Sequence, residues 1–304
     1  MRPRSRWIAW VFPLFFTLQA GSSLCAQTFS KVSPPQDLGF SSFGHSVALS
    51  RDGLVALAGS GCEGYSNCDA GKAYVYTGSR KGWTLAQILA PASSHSGTDR
   101  FAWSVALSGD GRTAVLGNPG RQGSASVYSK QPGGWVEEAR LYPADGSRDY
   151  DGFGVSVALS QDGSTLLVGA YAHSCPSVRY CGAAYAFVRE SGGWRQQGTL
   201  LALDPHDSDT LGFSVALSAD GGTALLGAPG GRAVYEFDRS GESWSRPSSS
   251  PIRLRSAATI SGSRSPSRRM APRPWWGCRT RSARPPRGSA APSTSCAGPR
   301  RDGP

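Results

Sequence analysis

Little of this 304-residue chain is chemically reactive: it holds four histidines and two methionines, and only 17% of its residues are charged. His45, His95, His173 and His206 share no H-E-x-x-H or other paired spacing, which excludes a helical metalloprotease site. No G-x-S-x-G elbow is present to raise a serine nucleophile. The glycine-rich pieces lack the lysine and following helix that cradle phosphate. After residue 26 no apolar run is long enough to span a bilayer, and no amphipathic helical period of useful length appears. Asp149 with Asp151, and Asp204 with Asp207 and Asp209, are carboxylates that could hold a cation or form an acid/base pair. Aspartate is also the ordinary residue of connecting turns. We therefore expect no catalytic, cofactor-binding or metal-ligating residue, and no enzyme.

Nor is charge of one sign in excess where it would count. The chain's formal charge is +11, which invites a nucleic-acid partner. Yet the residues from Pro247 onward hold twelve arginines and one acidic residue, Asp302, so this stretch alone carries +11. Residues 1–246 contain 20 basic and 20 acidic side chains. The electrostatic footprint of a nucleic-acid binder is missing there, and we expect no such partner.

What the chain does have is repetition. F-G-H-S-V-A-L-S-R-D-G at 43–53 returns as F-A-W-S-V-A-L-S-G-D-G at 101–111, F-G-V-S-V-A-L-S-Q-D-G at 153–163 and L-G-F-S-V-A-L-S-A-D-G at 211–221. The starts lie 58, 52 and 58 residues apart, a period that belongs to stacked or radial repeats. In the third copy, Ser156–Leu159 alternates small or polar with apolar residues, as a strand with one buried face does. Asp162-Gly163 is a tight-turn signal, because glycine tolerates positive φ. Thr165–Gly169 reads as the return strand, Gly182–Phe187 as a third, and Trp194–Leu201, after a Gly-Gly turn, as a fourth. Trp83, Trp135, Trp194 and Trp244 occupy one position of this template; Tyr76, Tyr128, Phe187 and Phe237 occupy another. A four-stranded sheet cannot bury both faces alone, so the expected fold is all-β, a β-propeller of four-stranded antiparallel blades over 27–246. His45 fills the slot of Trp103, Val155 and Phe213, which points to packing.

Export signals accompany the repeats. Arg2, Arg4 and Arg6 precede the apolar run Trp7–Leu18, and small residues lead to Ala26 before Gln27, so residues 1–26 read as a signal peptide. Leu24 is a poor fit to the small residue that a lipidated Cys25 would follow. With the signal removed, no membrane span is expected. Cys62/Cys68 and Cys175/Cys181 are each six residues apart at the same place in their repeats, which favours two local disulfides. Neither pair has the C-x₂-C spacing or nearby histidine of a metal site.

The Phe-Gly opening, with Gly227-Ala228-Pro229 after the second strand and Gly117-Asn118-Pro119 as a near variant, resembles FG-GAP repeats. These are the blade units of integrin alpha-subunit propellers and of many secreted bacterial proteins. The resemblance covers about residues 40–246 and implies a secreted or cell-surface adhesion module that binds a protein or glycan through propeller loops. An extracellular hydrolase or lyase with its site at the channel mouth, or an inactive fragment, are the alternatives. Calcium-binding FG-GAP blades carry an Asp-x-Asp-x-Asp-Gly type of loop. Here Asp52, Asp110, Asp162 and Asp220 stand singly before glycine, too few for a calcium ion that takes six to eight oxygens. They read as turn formers.

After residue 246 the repeat stops, and 247–304 reads as an Arg/Pro/Ser-rich disordered tail. The genetic code adds a sharper expectation. Reading each codon from its third base, Ala258–Ser267 can encode D-N-F-G-F-S-V-A-L-S. The codons of Met270-Ala271 force a glycine, Pro274–Gly277 can give L-V-G-V, and the run before Cys296 can give G-A-V-Y-V. The tail thus reads as a fifth repeat displaced by a frameshift near residues 245–257. In the frame as given, Trp275, Trp276, Cys278 and Cys296 form no site.

Overall fold

The computed structural model describes residues 31–34, 42–61, 71–79, 82–91, 100–146 and 149–245, together with the backbone of 252–253. The signal peptide expected over 1–26, Cys25, Cys62, Cys68, His95 and the rest of 247–304 lie outside the described residues. The chain divides into units Met1–Ser256 and Ala257–Pro304, and only the first contains described residues.

Every described element is a strand. β1 (Ser42–Leu49), β2 (Val55–Gly61), β3 (Lys72–Ser79) and β4 (Gly82–Leu89) form the first blade. β5 (Ser104–Leu107), β6 (Thr113–Asn118), β7 (Ser124–Gln131) and β8 (Gly134–Leu141) form the second. The third holds β9 (Phe153–Leu159), β10 (Thr165–Ala170), β11 (Ala183–Glu190) and β12 (Gly193–Leu200). The fourth holds β13 (Ser214–Leu217), β14 (Thr223–Ala228), β15 (Ala233–Ser240) and β16 (Ser243–Ser245), with β17 (Ile252–Arg253) also on β15. Each blade is an antiparallel meander in chain order. The fourth blade runs past residue 246, because Ile252 pairs with Val234 and Arg253 with Ala233. Ile252 thereby takes the register place that Leu200 holds opposite Ala184.

Successive residues of a strand point to opposite faces, and both faces of the inner blades are buried. In the third blade Leu166, Val168, Tyr185 and Phe187 pack toward Val115, Val127 and Leu141 of the second. Leu167, Ala184, Ala186 and Leu200 pack toward Leu226, Tyr235 and Phe237 of the fourth. A strand covered on both sides has no polar face, which is why β10 reads T-L-L-V-G-A. The first and second blades join in the same way through Leu57, Val75, Leu116 and Tyr128.

The joint between blades explains the Phe-Gly and Gly-Ala-Pro signals. A Cβ on Gly117 would strike the carbonyl oxygen of Gly154, and one on Gly169 that of Gly212. Ser104 Oγ donates to that same Gly154 oxygen at 2.8 Å, and Ser156 Oγ to that of Gly212 at 2.9 Å. The penultimate glycine of one second strand therefore makes room for the Phe-Gly carbonyl of the next blade, and the serine of S-V-A-L holds it. Gly154 and Gly212 have φ of 95° and 82°, a region that glycine enters without a Cβ penalty. At the first joint a Cβ on Gly59 meets the Ala102 oxygen, and Ser46 Oγ accepts from Val105 N–H at 3.0 Å.

Candidate functional site at the link end of the blades

A meander has two ends. At one lie the turns between first and second and between third and fourth strands. At the other lie the loops between second and third strands and the links to the next blade. The first end is uniform. Ser50, Ser108, Ser160 and Ser218 donate to Asp52, Asp110, Asp162 and Asp220 at 2.6, 2.6, 2.5 and 2.5 Å. Each carboxylate accepts the backbone N–H two residues on, from Leu54, Arg112, Ser164 or Gly222. The Ser50 hydroxyl bond, then the Leu54 N–H, holds Asp52 below the ordinary carboxylate pKa of 3.8. Ser218 and the Gly222 N–H do the same for Asp220. At Asp162 partial burial pushes upward, and bonds from Ser160 and Ser164 outweigh it. These aspartates are occupied in closing turns. A second series of bonds runs between the turns: Arg51 N–H donates to Gly109 C=O, Gly109 to Gln161 and Gln161 to Ala219, at 2.9, 2.8 and 2.9 Å.

The link end is irregular. Arg100, Ala102, Tyr150, Ser177, Tyr180, Ser208, Thr210 and Arg232 have positive φ without being glycine. All eight lie in links or in second-to-third-strand loops. Such conformations cost about 1–2 kcal/mol per residue and persist only where surroundings enforce them.

Here the surroundings are polar and specific. The Tyr185 hydroxyl donates to Asp145 Oδ2 at 3.2 Å and lies 3.3 Å from His173 Nδ1. A phenol that has given its only proton to Asp145 can accept one from the imidazole, which places a proton on Nδ1. That nitrogen is 3.7 Å from Asp151 Oδ2. In the fourth blade Tyr235 makes the matching bond to Asp204 at 3.3 Å. Asp149 receives the Arg121 Nε–H at 2.8 Å, and this bond raises the pKa of the guanidinium. Asp207 accepts the Arg179 N–H at 2.9 Å, and Asp209 the His206 N–H at 2.8 Å. The link carboxylates flagged by sequence are thus spread over five different partners. Among the described residues no group of three or more His, Cys, Asp or Glu side chains could hold a metal ion.

Cys175 and Cys181 form a disulfide with a Cα–Cα distance of 5.9 Å. Its loop is clamped to the following link: Ser208 N–H donates to Arg179 C=O, Thr210 to Tyr180 and Leu211 to Cys181, at 2.8–3.0 Å. Tyr180 stands 52% exposed on that clamp, near in type to Tyr150 at 67% and Tyr142 at 48%. Sequence reasoning missed these three rings. It noted His173 and Asp151 separately, but the Tyr185–His173–Asp151 contacts join residues that the period scatters over two connections. His45 stacks on Trp103 with ring centroids 4.3 Å apart, beside the Arg100 guanidinium, 5.2 Å from the same indole.

None of the curated proteins matches the chain. A family model described as FG-GAP repeat matches residues 83–129, 135–187 and 194–243. Each match opens at the tryptophan of one blade's fourth strand and extends into or beyond the third strand of the next, so the family unit straddles the joint described above. With that unit found in three places on four blade-like sheets, the chain is an FG-GAP repeat protein.

Proposed function

We propose that this protein is an exported, non-catalytic binding module that takes a protein or glycan ligand on the link end of its blades. The observation that carries the reading is the concentration there of the eight non-glycine left-handed residues found among the described residues, together with the exposed rings of Tyr142, Tyr150 and Tyr180. Rigid, enforced loops lose little entropy on binding, and exposed tyrosines supply contact area with few rotamers to freeze. The family and the Cys175–Cys181 disulfide are compatible with an oxidising compartment. The two imidazole–carboxylate pairs support loop fixation over acid–base work: His173 is 8% exposed, and His206 is tied within its own link.

The test is a screen of the purified chain against immobilised glycans and extracellular proteins, repeated with Tyr142→Ala/Tyr150→Ala/Tyr180→Ala. The triple variant should lose a captured ligand about tenfold or more while keeping its melting temperature. Retention of the ligand by that variant, or its loss on substitution at the opposite turns, refutes the assignment. N-terminal sequencing of the secreted product should start at Gln27.

A further inference from the structure

The fourth blade repeats the outward face that its predecessors bury, but here that face meets solvent. Leu225 and Val234 occupy the register places of Leu57, Val115 and Leu167 and of Ala73, Ala125 and Ala184. The earlier residues are at most 1% exposed; Leu225 is 42% and Val234 37%. The joint's donors and its space are also present. Ser214 stands where Ser104 and Ser156 hold the next blade's Phe-Gly carbonyl. Gly227 stands where Gly117 and Gly169 leave room for it, and the nearest atoms to a Cβ there all belong to Ser214 of its own blade. Thr113 and Thr165 accept from Arg189 and Arg239 of the following blade; Thr223, the next in the series, donates within its own blade to Asp238.

The tail says what belongs on this face. In the frame that starts at each third base, two glycines are obligatory whatever synonymous codons are used. One comes from Met270-Ala271 and one from Trp276-Gly277, so they lie six codons apart. In every blade the turn glycine and the joint glycine are also six apart: Gly53 and Gly59, Gly111 and Gly117, Gly163 and Gly169, Gly221 and Gly227. The valine forced by Trp275-Trp276 precedes the second glycine, where Ala58, Leu116, Val168 and Leu226 stand. Nine codons before the first, Ser261-Gly262 permit the Phe-Gly glycine, at the spacing of Gly154 from Gly163.

We propose that the uncovered face of the fourth blade is the seat of a fifth FG-GAP blade, and that the nucleotides of residues 258–304 encode this blade in the shifted frame. Its Phe-Gly carbonyl docks on Gly227 under the Ser214 hydroxyl, and its apolar face covers Leu225 and Val234. Glu236 replaces the buried Val75, Val127 and Ala186 at this joint, so the fifth blade must bring a cation to it.

Two measurements decide the matter. Sequencing of the source DNA across codons 240–304 should show TCG at codon 261 and a stop-free shifted frame; a stop codon before codon 297, or any other serine codon at 261, overturns the proposal. Two full-length chains, this one and one continued in the shifted frame, are then melted with and without Leu225→Ala. The substitution should move the midpoint by about 1 °C or less in this chain and by about 5 °C or more in the continued one, as Leu167→Ala does in both. Equal shifts from Leu225→Ala in the two chains, or a continued chain that does not fold, overturn the docking.

Discussion

At the turn end of the blades four copies of Ser-x-Asp-Gly make the same hydroxyl–carboxylate bond to within 0.1 Å. At the link end a disulfide, a tyrosine–histidine–aspartate contact and an arginine–aspartate pair hold the connections in three unlike ways. The serine–aspartate turn is a local solution that any blade can carry, since its side-chain partners lie within five residues. The links combine local closures such as the Cys175–Cys181 disulfide with side-chain partners from other connections, so each must suit its own surroundings. Turn and joint bonding is copied faithfully from blade to blade; side-chain bonding among the links leaves room for a surface to diversify.

The contrast breaks most visibly at glycine. Gly169→Val at a joint forces a side chain into the Gly212 carbonyl and should cost about 3 kcal/mol or more. Gly53→Ala at a turn, with φ of 70° and open space around it, should cost only about 1 kcal/mol. Thermal melts followed by circular dichroism measure both, and equal losses would erase the distinction. Next in size, Cys175→Ser/Cys181→Ser opens a short loop and should cost about 2 kcal/mol, with faster amide exchange at Thr210 and Leu211.

Ser160→Ala removes a bond to Asp162 and the acceptor of the buried Thr165 N–H, and should cost about 1.5 kcal/mol. The same turns set an acid limit. Asp52, Asp162 and Asp220 have folded pKa values below 3.8, so their contribution is complete above that pH and is lost as pH falls through the folded values. The melting temperature should drop as the pH falls below about 4, and Asp→Asn at the three sites should flatten that drop. The smallest effect has the opposite sign. Tyr150→Gly relieves a φ of 67° and should stabilise by up to about 1 kcal/mol while weakening the proposed ligand, a combination that separates strain kept for binding from strain of no use.

The strands and turns were legible because they rest on neighbours in sequence: period-two alternation, Asp-Gly and Gly-Gly all act within a few residues. The third-copy strands expected at 156–159, 165–169 and 182–187 are β9, β10 and β11, with bounds shifted by one to three residues at most ends. The Phe-Gly and Gly-Ala-Pro signals were visible as a family mark, but their cause was not. Gly169 matters because of Gly212, more than forty residues away. His173 and Asp151 stayed separate for the same reason, and the exposed tyrosines lie in connections that no period covers. The expected end of the blades at 246 also fell short of Ile252–Arg253, since the Arg/Pro/Ser composition there carries no strand signal.

The bonds that run from Arg51 to Gly109, Gln161 and Ala219 all point one way, each blade donating to the one that follows. An array of this kind is supported unequally: the second and third blades are gripped from both sides, whereas the first and fourth are each gripped from one side by this series. In a chain of nearest-neighbour couplings the free ends melt first. Heating or pulling this protein should therefore open the first and fourth blades before the second and third, and amide exchange should record the order as faster exchange in β2 and β14 than in β6 and β10.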